Sequence, residues 1–108
     1  MGKSLDNYTI MGPVIVDRTE LPMPLELDIK SHVNGELRQN SNTKYLIKKI
    51  PGLIAELSKG ITLEAGDIIA TGTPAGVGMG FTPPRFLKKG DKVTCEIDRI
   101  GQLTNYIV

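Results

Sequence analysis

From Leu25 onward the apolar positions alternate with polar ones: Leu25, Leu27 and Ile29, then Val33 after a polar Ser31. That is the period of a half-buried strand. Asn34-Gly35 follows, and because both residues tolerate positive φ the pair predicts a tight hairpin. Glu36 to Gln39 is the returning strand, with Leu37 facing inward, and Gln39 to Thr43 reads as a polar loop. The period then changes. Ile50, Leu53, Ile54, Leu57 and Ile61 keep the i, i+3, i+4, i+7 spacing of a single buried helix face. Pro51 suits its first turn and Gly60 suits a left-handed stop. Upstream, Gly12-Pro13 opens the apolar run Val14-Ile15-Val16, a predicted buried strand. Leu21-Pro22-Met23-Pro24 is an extended linker, because each proline pushes its predecessor away from helix.

The second half contains a small echo. Leu63-Glu64-Ala65-Gly66-Asp67-Ile68-Ile69 and Leu87-Lys88-Lys89-Gly90-Asp91-Lys92-Val93 share Leu-x-x-Gly-Asp-x-[Ile/Val]. In each, Gly-Asp predicts a turn that feeds a strand. Strands are expected at about Asp67–Gly72 and Lys92–Asp98, the latter with Val93, Cys95 and Ile97 inward. A turn at Arg99–Gly101 leads to a last strand, Gln102–Ile107. The fold class is mainly β with one amphipathic helix, an α+β arrangement.

Length and charge narrow what this fold can do. One hundred and eight residues make about one domain. With 13 basic and 12 acidic residues the net charge is +1, so no field exists to hold nucleic acid or an anionic membrane. No apolar stretch is long enough for a membrane span, and the start has no apolar signal core. The single cysteine and single histidine exclude an internal disulfide and a Cys/His zinc site. These counts fit a soluble domain of a reducing, cytoplasmic compartment. Gly2-Lys3-Ser4 imitates the end of a phosphate-binding loop, but the required earlier glycine would precede Met1.

Candidate chemistry is sparse. No Glu-x-Glu, Asp-x-Asp, His-Glu-x-x-His or EF-hand spacing is present, so no local metal motif exists. Asp67 and Asp91 are explained by turn hydrogen bonds, His32 reads as a surface or edge residue, and Cys95 as a small core residue. The unusual segment runs from Ala70 to Gly80, with four glycines in nine residues from Gly72. Such a loop either is a flexible surface connection or brings backbone N–H groups close to an anion. Thr71-Gly72 offers a hydroxyl and two N–H donors at a strand mouth, a fitting place for a carboxylate. Lys3 is a second candidate anion ligand.

Taken together, Gly2-Lys3-Ser4-Leu5-Asp6, Met11-Gly12-Pro13, Val33-Asn34-Gly35-Glu36, the run from Leu63 through Thr71-Gly72-Thr73-Pro74-Ala75-Gly76-Val77-Gly78, and Gly90-Asp91-Lys92-Val93 resemble the fumarylacetoacetate hydrolase family. The tail around Glu96-Ile97 and Ile100-Gly101 also resembles it. The likeness is collinear over essentially the whole chain. It implies a mixed β-roll and a divalent-metal enzyme that cleaves, decarboxylates, hydrates or isomerises small 2-oxo acids, as in catabolism of aromatic compounds. In that scheme Mg²⁺ (or Mn²⁺ or Ca²⁺) chelates the oxo and carboxylate oxygens and stabilises an enolate. By the same resemblance Lys3 is the active-site lysine that neutralises developing negative charge. Thr71 holds the substrate carboxylate, with Gly72 beside it.

The departures from the family pattern are equally informative. There the metal sits on a Glu-x-Glu pair and a later Asp, all before the Lys-Ser-x-Asp motif, and here that motif starts at Lys3. Residues 1–108 are therefore expected to be the C-terminal part of the catalytic domain, an incomplete β-roll without metal ligands of its own. A lysine and a threonine cannot supply the near-octahedral oxygen set that Mg²⁺ requires. The strands alternate as if one face were covered, yet one helix is little to cover them with. Homodimerisation, or pairing with a separate N-terminal half, is the implied partnership. The other class left open is a non-catalytic β-rich interaction domain.

Overall fold

The computed structural model of the chain describes residues 6–108. Its four strands are β1 (Asp28–Val33), β2 (Glu36–Asn42), β3 (Lys92–Ile97) and β4 (Gly101–Tyr106). They form one antiparallel sheet in the order β2-β1-β3-β4. One helix, α1 (Ile50–Leu57), and short 3-10 turns at Thr43–Tyr45 and Gly78–Gly80 are the other regular elements of the described residues. The fold is thus mainly β with one helix, as the residue pattern predicts.

The hairpin is where the sequence puts it. Asn34 and Gly35 both take positive φ, 51° and 83°, the two left-handed residues of a type I′ turn. Asn34 also ties this turn to the next one: its Nδ2 donates to Asp91 Oδ1 at 2.9 Å and its Oδ1 accepts from the Lys92 amide at 2.9 Å. The two Gly-Asp turns repeat one geometry. Gly66 and Gly90 sit at φ 94° and 91°. Asp67 Oδ2 accepts from the Glu64 amide and Asp91 Oδ2 from the Lys88 amide, each at 2.8 Å. The second turn feeds β3. The first does not feed a strand: residues 67–72 run without a ladder partner.

Further expectations are corrected. Val14–Val16 is not a strand, and Ile15 is 86% exposed; an apolar run without a pairing edge cannot make one. β2 does not end at Gln39 but continues to Asn42, pairing Ser41 with Ile29 and Asn42 with Asp28. Leu37 faces out, 47% exposed. The cause is a β-bulge: Ser31 faces Gln39 while the next residue, His32, faces Leu37, leaving Arg38 as the extra residue. A bulge shifts side-chain alternation by one, so Gln39 and Ser41 rather than Leu37 share the face of Ser31 and Ile29. His32 accordingly lies on an inner strand, half-buried, and not on an edge.

The inward alternation of β1 holds, with Leu27 5%, Val33 8% and, on the preceding segment, Leu21 7% exposed. Elsewhere that face is open. Cys95, opposite Ser31 and Leu103, is exposed rather than in a core. Helix α1 starts as predicted, with Pro51 in its first turn, but has no buried residue. It stops at Leu57, where Ser58 Oγ donates to the Ile54 carbonyl at 2.7 Å, and Gly60 does not take positive φ. The accessible surface is 8802 Å², against about 5,900 Å² for an ordinary folded monomer of this length. The radius of gyration, 15.2 Å, likewise exceeds the roughly 13 Å of a compact chain of this size.

Candidate functional site

The Gly-rich segment is neither a loose surface loop nor an open cradle. At Gly76, φ is 107° and a Cβ would stand 2.0 Å from the Arg38 carbonyl oxygen. At Gly78 it would stand 2.4 Å from the Arg85 carbonyl oxygen, and the Arg85 amide donates to the Gly78 carbonyl at 2.8 Å. These two glycines are therefore close-approach positions: the loop backbone lies directly on the bulge of β2 and on its own return segment.

Side chains fasten the loop at two points. Gln39, which the bulge places opposite Ser31, donates through Nε2 to Thr73 Oγ1 at 2.7 Å and to the Pro74 carbonyl at 2.9 Å. Its Oε1 accepts from Ser31 Oγ at 2.8 Å. Farther along, Phe81 meets two guanidinium groups, with Arg38 5.4 Å and Arg85 5.3 Å from the ring centroid. Glu36 takes a two-pronged hydrogen bond from Arg85, at 2.7 and 2.9 Å. Arg38 Nε is 3.2 Å from Glu36 Oε1, an ion pair without hydrogen-bond geometry, since that nitrogen is buried and makes no hydrogen bond.

The Arg85 hydrogen bonds hold the Glu36 carboxyl below its ordinary value of 4.5. A carboxyl depressed in the folded state contributes stability above its unfolded pKa and loses it as pH falls through the folded pKa. The urea midpoint should therefore drop as pH is lowered from about 6 to about 3, and drop less steeply in Arg85→Ala. Asp91 is held low in the same direction, first by its Asn34 hydrogen bond, and is untouched by that substitution, so part of the acid sensitivity persists. Equal pH slopes in the two proteins would contradict the Glu36 contribution.

The first fastening point borders a cavity of about 600 Å³. Residues 71–75 form one wall, 41–43 and 45–48 another, and Ile29 and Leu53 close it with apolar surface. Thr71 and Gly72, the two residues singled out from sequence, both line it, and so does Thr73. Among the described residues no carboxylate lines the cavity, and the one charged lining residue is Lys48, whose Nζ is 3.3 Å from Glu56 outside it. Gly72 adopts φ 104° with open space where a Cβ would be, so glycine is needed there for conformation alone. Lys3, the third residue singled out, lies outside the described residues.

Metal chemistry is a separate question. Among the described residues no three His, Cys, Asp or Glu side chains converge to hold a metal ion. The described residues do not fit one.

Residues 1–108 match the family model for the fumarylacetoacetate (FAA) hydrolase C-terminal domain. The chain belongs to the fumarylacetoacetate hydrolase family. It is 57% identical over 107 residues to the oxaloacetate tautomerase YisK of Bacillus subtilis (strain 168), a match covering 99% of this chain and 36% of the relative. Its fold matches fumarylacetoacetate hydrolase from the psychrophile Exiguobacterium antarcticum with a TM-score of 0.90 at 47% identity, covering 98% of this chain and 38% of that one. It is also similar to maleylpyruvate hydrolase from Sphingobium sp. SYK-6, in a complex with manganese (II) ion and pyruvate. There the TM-score is 0.79 at 43% identity, with 90% and 34% covered. The chain spans a little over a third of the curated relatives it matches. The four-stranded sheet and its helix are thus the C-terminal fold of this family.

Gln39, Thr73 and Lys48 were not legible as site residues. Gln39 and Thr73 are 34 positions apart, and nothing in a polar β-strand position announces a partner at that distance. The only sequence signal near them is the glycine at position 76, whose close approach to Arg38 sets the loop down beside Gln39.

Proposed function

We propose that this chain supplies the carboxylate-binding wall of an enzyme acting on small 2-oxo acids by breaking or shifting a bond beside the oxo group. The observation that carries the reading is the cavity itself: Thr71, Gly72 and Thr73 meet at one wall, with a lysine and no carboxylate among the lining residues. Hydroxyl and backbone N–H donors around a cation are what a carboxylate needs. The relatives support the substrate class, since one is an oxaloacetate tautomerase and another a maleylpyruvate hydrolase crystallised with manganese and pyruvate. Reaction type within tautomerisation, hydrolysis and decarboxylation is set by groups outside this cavity wall.

On this reading residues 1–108 are the C-terminal part of the catalytic unit, and the divalent metal, Mg²⁺, Mn²⁺ or Ca²⁺, is held by residues outside the described part of this chain. Lys3 and the Thr71 wall are the chain's own contribution. Pairing with the remainder of the unit, or with a second copy, covers the open sheet face and helix. A second reading, a non-catalytic interaction domain, is favoured by one observation only, the excess exposed surface.

The deciding experiment is a chimera in which this chain replaces the matching 107 residues of the Bacillus subtilis oxaloacetate tautomerase. It should interconvert the keto and enol forms of oxaloacetate in a manganese-dependent manner. In it, Thr71→Val should raise KM about ten-fold with kcat nearly unchanged, because a contact to the carboxylate is present before and during reaction. A folded chimera without turnover would leave the interaction-domain reading standing.

A further inference from the structure

The hydrogen bonds around Gln39 fix which way every proton points. Pro74 offers only a carbonyl oxygen, so the side-chain atom of Gln39 facing it at 2.9 Å is the amide nitrogen. An amide nitrogen donates and does not accept. Thr73 Oγ1, 2.7 Å from the same nitrogen, is therefore an acceptor there. The other end of the amide is held as well: Oε1 accepts from Ser31 Oγ, and Ser31 is buried at 8% exposure. The aliphatic part is held by the loop, since a Cβ at Gly76 would stand 2.9 Å from Gln39 Cγ. The amide cannot turn over without breaking bonds at both ends.

A threonine hydroxyl that accepts on one side keeps its proton to give elsewhere, and Thr73 lines the cavity. We propose that Gln39, locked by Ser31 and Pro74, is a positioning residue that sets the Thr73 hydroxyl as a hydrogen-bond donor into the cavity, toward an oxygen of a bound 2-oxo acid. This rests on the reading of the cavity given above. Gln39 acts through Thr73 and does not touch the ligand. Without it the hydroxyl is free to rotate and spends part of its time donating to the nearest carbonyl. The bulge at Arg38 is part of the same device, since regular alternation would turn Gln39 to the other face of the sheet.

The test is pyruvate binding to the 108-residue chain, followed by amide shifts of Thr71 to Thr73 in ¹H–¹⁵N spectra. Wild type should shift saturably. Thr73→Val should raise Kd about ten-fold and Gln39→Met about five-fold, within the range expected for one ordinary hydrogen bond. The double variant should bind no worse than Thr73→Val alone, because Gln39 has nothing to act through once the hydroxyl is gone. Thr73→Ser should keep Kd within about two-fold. Ser31→Ala, which leaves Gln39 in place, carries the test if Gln39→Met fails to fold: it should raise Kd by a smaller factor, and that rise too should vanish in the Thr73→Val background. If the Gln39→Met or Ser31→Ala factor is instead unchanged in that background, the role is purely structural and the proposal fails. It also fails if wild type shows no saturable shift at Thr73. Turnover of the chimera judges the underlying reading separately: an active chimera with no coupling rejects only the role of Gln39. An inactive chimera with coupling retains the oriented hydroxyl and rejects the enzymatic reading.

Discussion

The Gly76→Ala variant should lose roughly 2–5 kcal/mol of folding stability, the sum of a left-handed backbone penalty and the cost of overpacking. The methyl group would stand 2.0 Å from the Arg38 carbonyl oxygen at a φ of 107°. Neither party can step aside, because Arg38 is the extra residue of the β2 bulge and its backbone is fixed by the pairings on both sides. Gly66→Ala is the control. Its φ is 94° but nothing lies within 4 Å of the new methyl group, so only the backbone penalty of about 1–2 kcal/mol applies. At about 4–8 °C per kcal/mol for a domain of this size, the two thermal midpoints separate clearly. Equal midpoints would mean that the loop does not rest on the bulge, and the placement of Thr73 beside Gln39 would fall with it.

The second large effect concerns chemistry. In the Bacillus chimera, Lys3→Ala should lower kcat by a factor on the order of 10² or more, with a smaller change in KM. The reasoning is electrostatic. When a bond beside the oxo group breaks or shifts, negative charge grows on the substrate oxygen, and an ammonium aimed at that oxygen stabilises the transition state more than the bound substrate. Lys3 lies outside the described residues, so its role is carried by the match of its Gly-Lys-Ser-x-Asp motif to the family pattern. Turnover within about two-fold of wild type would remove Lys3 from the reaction, since loss of a positioned charge cannot be so mild.

What the sequence disclosed and what it hid divide along physical lines. Turns were legible because their chemistry is local: Asn34-Gly35 and the two Gly-Asp turns take the positive φ values and side-chain hydrogen bonds their residues favour. Helix α1 was legible from its period, and Pro51 marks its start. Strand limits were not, because pairing is non-local. Ser41 and Asn42 join β2 despite their polarity, since β1 offers them partners, whereas Val14–Val16 and residues 67–72 are apolar and have none. Leu37 was misread because a bulge at Arg38, unmarked by Gly or Pro, reverses the alternation. Cys95 and the apolar positions of α1 were expected to be buried and are not fully covered. Their pattern records a face meant to be covered, and on the proposed reading the cover comes from outside these residues. Of the site, Thr71 and Gly72, singled out from sequence, line the cavity, while Lys48 reaches it, and Gln39 reaches its Thr73 wall, through the fold alone.

On the proposed reading labour is divided: this chain supplies the lysine and the carboxylate wall, and the metal is held elsewhere in the catalytic unit. Titration calorimetry with Mn²⁺ tests it most directly. The 108-residue chain should give no saturable heat, while the Bacillus chimera containing the same 108 residues should bind the ion and then bind pyruvate. Tight Mn²⁺ binding by the chain alone would overturn that division.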